Sequence, residues 1–308
     1  MRILIIDFVH EILIDGLKSL GHLVDYHPEY KREDLIKTIG AYEGLIVRTK
    51  TSIDKDVLLN AIKLRFIGRA GAGVDNIDTE YCDIHGIVYF NAGEANADAV
   101  GEQTIGMLLA LFARIVKADD EVRKRVWDRE GNRGMQVKEK TLAIIGYGNT
   151  GKAVAKKLKG FEMNVLCYDK YLSDYSDEYA REATMEQIFE KADIITFHVP
   201  LTDETHHMVD ESFIGSFTKS IYLLNLSRGK VIKLEDLMKT MKSGKVVAVG
   251  LDVLENERIN ELKDEEKKVF DYLIHSDRTV LTPHIGGWTK ESYAAISSVL
   301  LQKIKHLG

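Results

Sequence analysis

Short, almost uninterrupted runs of Val, Ile and Leu recur along the chain, and amphipathic segments with helical spacing separate them. Strands that are covered on both faces are apolar throughout, so this pattern predicts parallel sheets flanked by helices on both sides. The runs occupy residues 3–6, 45–47, 66–68, 88–90, 142–145, 165–168, 194–199, 221–226, 246–251 and 280–281. We therefore expect an α/β protein.

Chain length and one helix candidate divide the sequence into two domains. The 308 residues exceed a typical domain, which has roughly 100 to 200 residues. Residues 98–125 form an unusually long helix candidate between one set of strands and a second set that begins at residue 142. We predict an N-terminal α/β domain over residues 1–97 and a nucleotide-binding domain over residues 98–282.

Charge and cysteine content exclude several classes of function. The net charge of −6, without a basic stretch, argues against a nucleic-acid or acidic-membrane binder, so an anionic ligand needs a local Arg or Lys pocket. Cys82 and Cys167 lie far apart with no metal-binding spacing, and we expect buried thiols in a reducing compartment.

The N-terminus enters a strand candidate without a signal peptide, and the most apolar stretch, residues 105–116, is shorter than the roughly 18 to 20 residues that cross a bilayer. We expect a cytoplasmic protein with no metal site and no membrane partner.

A glycine-rich turn follows the strand candidate at residues 142–145 and precedes a helix candidate. It reads Gly146-Tyr147-Gly148-Asn149-Thr150-Gly151. In the dinucleotide-binding fingerprint the first glycine permits the turn, the second lets the diphosphate approach, and the third allows the helix to pack on the strand. The turn therefore predicts a dinucleotide site.

The next strand candidate ends at Asp169, which lies 18 residues after Gly151 and close to the expected separation of about 20. A carboxylate there accepts hydrogen bonds from a ribose diol and repels a 2′-phosphate, which favours NAD over NADP. Lys170 follows directly and weakens this preference slightly.

Three candidate catalytic residues, Arg228, Glu257 and His284, each follow a separate strand candidate. Because ligands of open α/β sheets bind outside the carboxyl ends of the strands, the three side chains are expected to converge. Arg228 supplies a permanent bidentate cation, His284 exchanges a proton at neutral pH, and Glu257 stabilises the imidazolium. Each residue alone also fits a structural role, but together with the dinucleotide site they predict oxidation of a 2-hydroxy acid.

Four segments together resemble the D-isomer-specific 2-hydroxyacid dehydrogenases: residues 146–151, 225–229, 252–257 and 283–287. The resemblance covers essentially the whole chain. It implies that Arg228, Glu257 and His284 form the catalytic trio, and that Asp252 contacts the nicotinamide carboxamide. It also implies a Rossmann doubly wound sheet, a smaller flavodoxin-like substrate domain that the chain re-enters over residues 283–308, and a homodimer formed through residues 98–125.

Two further segments match the same family. Residues 198–202 resemble the segment beside the adenine ribose, which implies a cofactor contact for His198 and Pro200. Residues 101–104 resemble a segment whose threonine reaches the cofactor phosphate, which implies the same for Thr104.

In the first domain, residues 46–51 and 68–76 also follow strand candidates, and the glycines Gly71 and Gly73 are placed to present backbone N–H groups to a carboxylate. Both segments most resemble the phosphoglycerate dehydrogenases of the family, which implies that Arg48 and Lys50 lie near a substrate phosphate. Ordinary surface cations in an exposed loop remain the alternative.

The sequence departs from the family pattern in three places. It ends at Gly308, so we expect no C-terminal regulatory domain and no serine feedback through one. Arg258 replaces the usual proline after the catalytic glutamate, and the charged insertion 260–268 that follows could shift Glu257. The loop at residues 91–96 lacks the usual Asn-Ala-Pro pattern, which leaves substrate selectivity open.

Two other functions remain open. One is a different enzyme on this scaffold, namely a glyoxylate or hydroxypyruvate reductase or a D-lactate dehydrogenase. The other is a corepressor-like protein that senses NAD without turning over a substrate.

Overall fold

A computed structural model describes residues Met1–Leu307 and divides the chain into two compact units. Unit 1 comprises Met1–Ala97 together with the chain from Trp288 onward, and unit 2 comprises Asp98–Gly287. Each unit has its own apolar cores on both faces of one parallel sheet, which is the arrangement that the apolar runs predicted.

Unit 1 is a five-stranded parallel sheet with helices on both faces. Its strands are β1 (Arg2–Ile5), β2 (Leu23–Tyr26), β3 (Gly44–Val47), β4 (Phe66–Arg69) and β5 (Val88–Asn91). Its first helices are α1 (Glu11–Ser19), α2 (Arg32–Thr38), α3 (Lys55–Leu58) and α4 (Thr79–His85). The strand order β2-β1-β3-β4-β5 is that of flavodoxin-like folds, which confirms the predicted class.

The C-terminal helix, Lys290–Lys305, completes unit 1. Ile296, Leu300 and Ile304 recur every four residues along one face of this helix and are buried in the core that contains β1 and α1. Burial of each such side chain contributes about 1.5 to 3 kcal/mol, so the return of the chain is part of the stability of this unit.

Unit 2 is a seven-stranded parallel sheet. Its strands are β6 (Thr141–Ile145), β7 (Asn164–Tyr168), β8 (Arg181–Glu182), β9 (Ile194–Phe197), β10 (Ile221–Asn225), β11 (Val246–Leu251) and β12 (Thr279–Leu281). Its helices are α5 (Ala97–Phe112), α6 (Ile115–Arg123), α7 (Asn149–Leu158), α8 (Met185–Lys191), α9 (Glu211–Gly215), α10 (Leu234–Lys242) and α11 (Asp264–His275). The order β12-β11-β10-β9-β6-β7-β8 is a Rossmann doubly wound sheet with its switch point between β6 and β9.

The prediction of a single long helix over residues 98–125 is wrong. The chain forms α5 and α6, which are bent by 63° at a break where Arg114 adopts a left-handed backbone (φ 54°). Among the described residues no single helix has the length and apolar composition to cross a membrane, and α5 and α6 meet that criterion only when taken together.

Strands β2 and β8 were also missed. β2 is a half-exposed strand and β8 has only two residues, so neither has the continuous apolar run of a buried strand. The chain returns to unit 1 at Trp288 rather than at residue 283, so His284 lies in unit 2.

Candidate active site

The glycine turn of unit 2 has the geometry that its three glycines predict. Gly146 has φ 93°, and a Cβ there would lie 2.5 Å from the His198 carbonyl oxygen on the neighbouring segment. A Cβ on Gly151 would lie 2.1 Å from the Gly146 carbonyl oxygen. A Cβ on Gly148 would meet no atom within 4 Å, so the second glycine faces open space. Two glycines are therefore required by packing, and the middle one leaves room for a ligand.

Helix α7 begins immediately after Gly148 and is suited to bind an anion. No side chain caps its first turn, so the N–H groups of Asn149 and Thr150 point out of the helix end with its positive potential. A turn that leaves space at Gly148 in front of such a helix end fits the diphosphate of a dinucleotide.

Asp169 is held in place directly after β7. Its Oδ2 accepts a hydrogen bond from the Tyr147 N–H at 2.9 Å, and its Oδ1 accepts one from the Tyr171 N–H at 3.0 Å. The Asp169 N–H donates to the Tyr175 hydroxyl at 2.8 Å. The carboxylate is therefore tied to the glycine turn itself, which is where the ribose of a bound dinucleotide is expected.

His198 follows β9 at the switch point. Its Nε2 lies 3.0 Å from Thr196 Oγ1. The residue as a whole is half-buried, and its Nδ1 is buried without a hydrogen-bond partner among residues 1–307. Burial lowers the pKa of His198 to about 3, so the ring is neutral at working pH. A neutral imidazole with an unused nitrogen fits a wall of the adenosine pocket, with Pro200 exposed two residues later.

Thr104 lies inside α5 rather than on a surface. It is fully buried, and its hydroxyl donates to the Val100 carbonyl at 2.7 Å. The structure therefore leaves no exposed surface of Thr104 for the phosphate contact that the resemblance implied.

Arg228 lies in the turn after β10, and Asn225 shapes that turn. The fully buried Asn225 side chain donates to the Arg228 carbonyl at 2.9 Å and accepts from the Ser227 N–H and hydroxyl at 3.0 and 2.7 Å. A Cβ on Gly229 would lie 1.9 Å from the Leu254 carbonyl oxygen, so the turn packs directly against the segment that leads to Glu257. The structure thus brings the Arg228 turn and the Glu257 segment together.

The buried Asp252 carboxylate organises the segment that carries His284. Its Oδ1 accepts from the Thr282 hydroxyl at 2.5 Å and from the Ile285 N–H at 2.9 Å, and its Oδ2 accepts from the Gly286 N–H at 2.8 Å. The His284 N–H donates to the Asp252 carbonyl at 2.8 Å. This anchoring role was not predicted, since the family resemblance implied only a nicotinamide contact for Asp252. The anchoring also explains why residues 283–287 stay with unit 2.

His284 and Glu257 form a direct pair. The imidazole Nδ1 lies 3.0 Å from both carboxylate oxygens of Glu257, and each side chain is a little under half exposed. Because an ionised carboxylate only accepts hydrogen bonds, Nδ1 carries the hydrogen and Nε2 is left as a proton acceptor. The pair borders a cavity of about 400 Å³ that is also lined by Asp252 and Leu254.

The charged insertion does not remove Glu257 from this pair. Arg258 turns away from the pair, with its N–H donating to Asn256 Oδ1 at 3.0 Å and its guanidinium lying 3.5 Å from Glu261. Most of the remaining insertion forms a short 3₁₀ turn, Ile259–Glu261, and the start of α11.

The predicted substrate residues of unit 1 have different surroundings. The Arg48 guanidinium stacks over the Trp288 ring at 4.3 Å and lies 5.7 Å from the Tyr293 ring. The backbone N–H of Arg48 donates to Asp7 Oδ2 at 2.6 Å. Desolvation lowers the pKa of Arg48 from its ordinary value, but a guanidinium stays charged. Arg48 borders a cavity of about 530 Å³ that is also lined by Phe8 and Lys290.

Lys50 and Gly71 of unit 1 are occupied by local contacts. The exposed Lys50 ammonium donates to the Pro28 carbonyl at 2.5 Å. The Gly71 N–H donates to the Arg69 carbonyl at 2.9 Å, and Gly73 lies two residues further along this turn. The aromatic neighbours of Arg48 were missed, although Trp288 stands four residues after His284 and is 63% exposed, an unusual position for a tryptophan without a ligand or partner.

Comparison with known proteins agrees with this geometry. Residues 105–286 match the family model described as D-isomer specific 2-hydroxyacid dehydrogenase, NAD binding domain. The chain is 35% identical to the D-3-phosphoglycerate dehydrogenase of Methanocaldococcus jannaschii over 99% of its own length, but it spans only 57% of that relative. It is 34% identical to the hydroxypyruvate reductase of Thermotoga maritima, over 90% of this chain and 89% of that relative. The D-lactate dehydrogenase of Aquifex aeolicus, solved with NAD and lactic acid, superposes with a TM-score of 0.86 at 26% identity over 100% of this chain and 95% of that one.

Proposed function

Because this chain belongs to the D-isomer specific 2-hydroxyacid dehydrogenase family, we propose that it is an oxidoreductase that transfers a hydride between NAD and a small D-2-hydroxy acid. We propose 3-phosphoglycerate and 3-phosphohydroxypyruvate as the substrate pair. The observation that carries the proposal is the His284–Glu257 pair, anchored through Asp252 in the same unit as the glycine turn.

In this proposal the chain holds NAD through residues 146–151 and Asp169, with His198 and Pro200 beside the adenosine. NAD bound at these residues would supply the hydride acceptor for oxidation, and NADH the hydride donor for reduction. The chain's own residues perform the rest: Arg228 binds the substrate carboxylate, and His284 Nε2 takes the hydroxyl proton during oxidation and returns it during reduction. Glu257 stabilises the imidazolium that forms, and such positioned proton transfer contributes about 10²- to 10⁴-fold in rate.

The choice of substrate is supported by similarity to phosphoglycerate dehydrogenases and by the chemistry around Arg48. The guanidinium keeps donors that its single long bond to the Phe8 carbonyl, at 3.4 Å, does not use, and a phosphate or carboxylate can accept them. Hydroxypyruvate, glyoxylate and D-lactate or its oxo acid remain the alternatives.

A spectrophotometric panel of 2-oxo acids with NADH tests this proposal. We expect the highest kcat/KM for 3-phosphohydroxypyruvate among the acids named above. A higher value for glyoxylate or hydroxypyruvate would reassign the enzyme to those reductases. Tight NADH binding with no turnover of any acid would contradict the dehydrogenase proposal and favour a protein that only senses NAD.

We further propose a cytoplasmic homodimer that serves serine biosynthesis. The α6 region carries exposed apolar side chains that a second copy would cover: Ile115, Val116, Val122, Val126 and Trp127. A cluster of this kind is typical of an interaction surface, and two-fold self-association is the commonest way to cover one. We expect a dimer in sedimentation velocity at micromolar concentration and a monomer for Trp127→Glu, whereas a wild-type monomer would contradict the dimer.

A further inference from the structure

The ribose end of the candidate cofactor site contains a cation, Lys170, that would favour binding of NADP over NAD. Lys170 directly follows Asp169, and a lysine beside the ribose carboxylate is well placed to attract the 2′-phosphate of NADP. Asp169 alone is therefore an incomplete account of NAD preference, because its charge and that of Lys170 cancel.

Glu204 removes this conflict. Its Oε1 lies 2.6 Å from the Lys170 ammonium, and its Oε2 accepts a hydrogen bond from the Tyr171 hydroxyl at 2.7 Å. Both oxygens are therefore engaged by the two residues that follow Asp169. The pair is about half exposed, with 56% of the Lys170 side chain and 52% of the Glu204 side chain accessible, so a bound phosphate could reach it.

The loop that carries Glu204 is ordered by its own hydrogen bonds. It follows β9, and the Thr205 hydroxyl donates to the Pro200 carbonyl at 2.6 Å while accepting from the Thr202 N–H at 2.8 Å. β9 is the neighbour of β6 across the switch point, so this loop belongs to the same end of the sheet as the glycine turn. The turn that carries Glu204 therefore has a defined backbone conformation.

The charges of the pair are well defined at neutral pH. Hydrogen bonding from Lys170, followed by that from Tyr171, lowers the pKa of Glu204, and the hydrogen bond to Glu204 raises the pKa of Lys170. Lys170 and Glu204 therefore cancel, and Asp169 leaves a net charge of about −1 at the ribose end. A 2′-phosphate carries roughly −1.5 to −2 charges, so Asp169 repels it. Lys170 is not available to bind the phosphate because it is already paired with Glu204.

We propose that Glu204 is a specificity-determining residue for the cofactor, which rejects NADP by neutralising Lys170 and fixing Tyr171 beside Asp169. The proposal rests on NAD binding at the glycine turn and is independent of which 2-hydroxy acid is the substrate. It assigns to the loop after β9 a role that the GxGxxG turn and Asp169 do not cover.

The test measures dissociation constants of NADH and NADPH by fluorescence for the full chain. In Glu204→Gln, whose side chain has nearly the same shape, we expect NADPH to bind about tenfold tighter and NADH within about twofold of wild type, since a charge-assisted hydrogen bond to the phosphate becomes possible. Glu235→Gln is the matched control, because Glu235 forms a similarly exposed pair with Lys239 at 3.0 Å on α10. That control is expected to leave both constants unchanged.

A double-mutant cycle identifies the released cation. Lys170→Met alone should not tighten NADPH, and Glu204→Gln combined with Lys170→Met should lose most of the tenfold gain. An NADPH-to-NADH ratio in Glu204→Gln within twofold of wild type would overturn the proposal, as would a full gain that persists in the double variant. Thermal unfolding of each variant checks that the loop still folds. If wild-type protein failed to bind NADH at all, the cofactor site itself would be wrong, and that outcome is distinct from failure of the Glu204 proposal.

Discussion

The two units hold their candidate functional side chains by different kinds of contact. In unit 2, Asp169, Asp252 and His284 are each held by hydrogen bonds from the backbone or from another side chain of that unit. In unit 1, the Arg48 guanidinium is held mainly by the faces of Trp288 and Tyr293, with one long hydrogen bond to the Phe8 carbonyl. Hydrogen bonds restrict the orientation of a side chain to within tens of degrees. Stacking restricts only the plane of the guanidinium and leaves the N–H groups at its edge able to bind a ligand.

This difference separates two tasks of a dehydrogenase. Hydride and proton transfer need reacting groups in one geometry, and unit 2 supplies prearranged groups. Selection among 2-hydroxy acids needs contacts that distinguish one substrate from another, and the proposed function assigns such a contact to Arg48. Changes in unit 2 should therefore damage cofactor binding or chemistry for every substrate, and changes in unit 1 should alter the ranking of substrates.

A change in the glycine turn should have the largest effect on cofactor binding. Gly148→Val places a branched side chain in the open space at the turn, so we expect NADH affinity to fall by at least about 100-fold while the melting temperature stays within about 2 °C. Gly151→Val should instead lower stability, because its Cβ would collide with the Gly146 carbonyl. Fluorescence titration and thermal unfolding separate the two cases, and wild-type NADH affinity in Gly148→Val would contradict the assigned site.

A change at Asp252 tests whether its buried carboxylate positions the proposed acid–base residue, His284. Asp252→Asn puts an N–H₂ group opposite a backbone or hydroxyl donor, and a lost buried hydrogen bond costs about 1 to 3 kcal/mol. We expect kcat to fall by about 30- to 100-fold with NADH affinity within about threefold of wild type, because the His284 segment shifts while the glycine turn does not. A loss of NADH affinity equal to the loss of kcat would favour the nicotinamide contact instead.

Much of unit 2 follows from the sequence because its signals are local. The Gly146–Gly151 spacing, Asp169 at the end of the next strand and the residues after β10, β11 and β12 each require only a strand and a turn to be recognised. The sequence could not show which polar groups form hydrogen bonds with one another. The anchoring by Asp252 joins residues some 30 positions apart, and Asn225 is an ordinary strand-end residue until its buried amide is seen to shape the Arg228 turn.

Unit 1 was less predictable for the same physical reason. Arg48 was found from a local motif, but its aromatic neighbours come from the C-terminal segment, some 240 residues later. The break at Arg114 was missed because no proline or glycine marks it, and a left-handed arginine has no reliable sequence signal.

Arg48 gives the next largest expected effect and should change substrate choice. In Arg48→Ala we expect kcat/KM for 3-phosphohydroxypyruvate to fall by about 10- to 30-fold, since hydrogen bonds to charged groups contribute about 1.5 to 3 kcal/mol. Glyoxylate, which has no phosphate, should lose less than about threefold. Steady-state rates with both acids check this, and equal losses would remove the phosphate contact from unit 1.

Trp288 should give the smallest effect. Trp288→Leu removes the ring beneath Arg48 but keeps the charge, and a partly exposed cation–π contact contributes about 0.5 to 1 kcal/mol. We expect an increase of about three- to fivefold in KM for the phosphorylated acid with kcat and NADH affinity unchanged. A fall in kcat for all acids would show that unit 1 also acts on the chemical step, which would break the division between the units.

The central claim is that unit 2 holds the cofactor and moves the proton through separate residues. The most direct test is single-turnover reduction of a 2-oxo acid by bound NADH in His284→Asn, measured together with the dissociation constant of NADH. We predict an NADH constant within about threefold of wild type and hydride transfer slower by about 10²- to 10⁴-fold. Hydride transfer at nearly the wild-type rate would contradict the assignment of His284 as the acid–base residue.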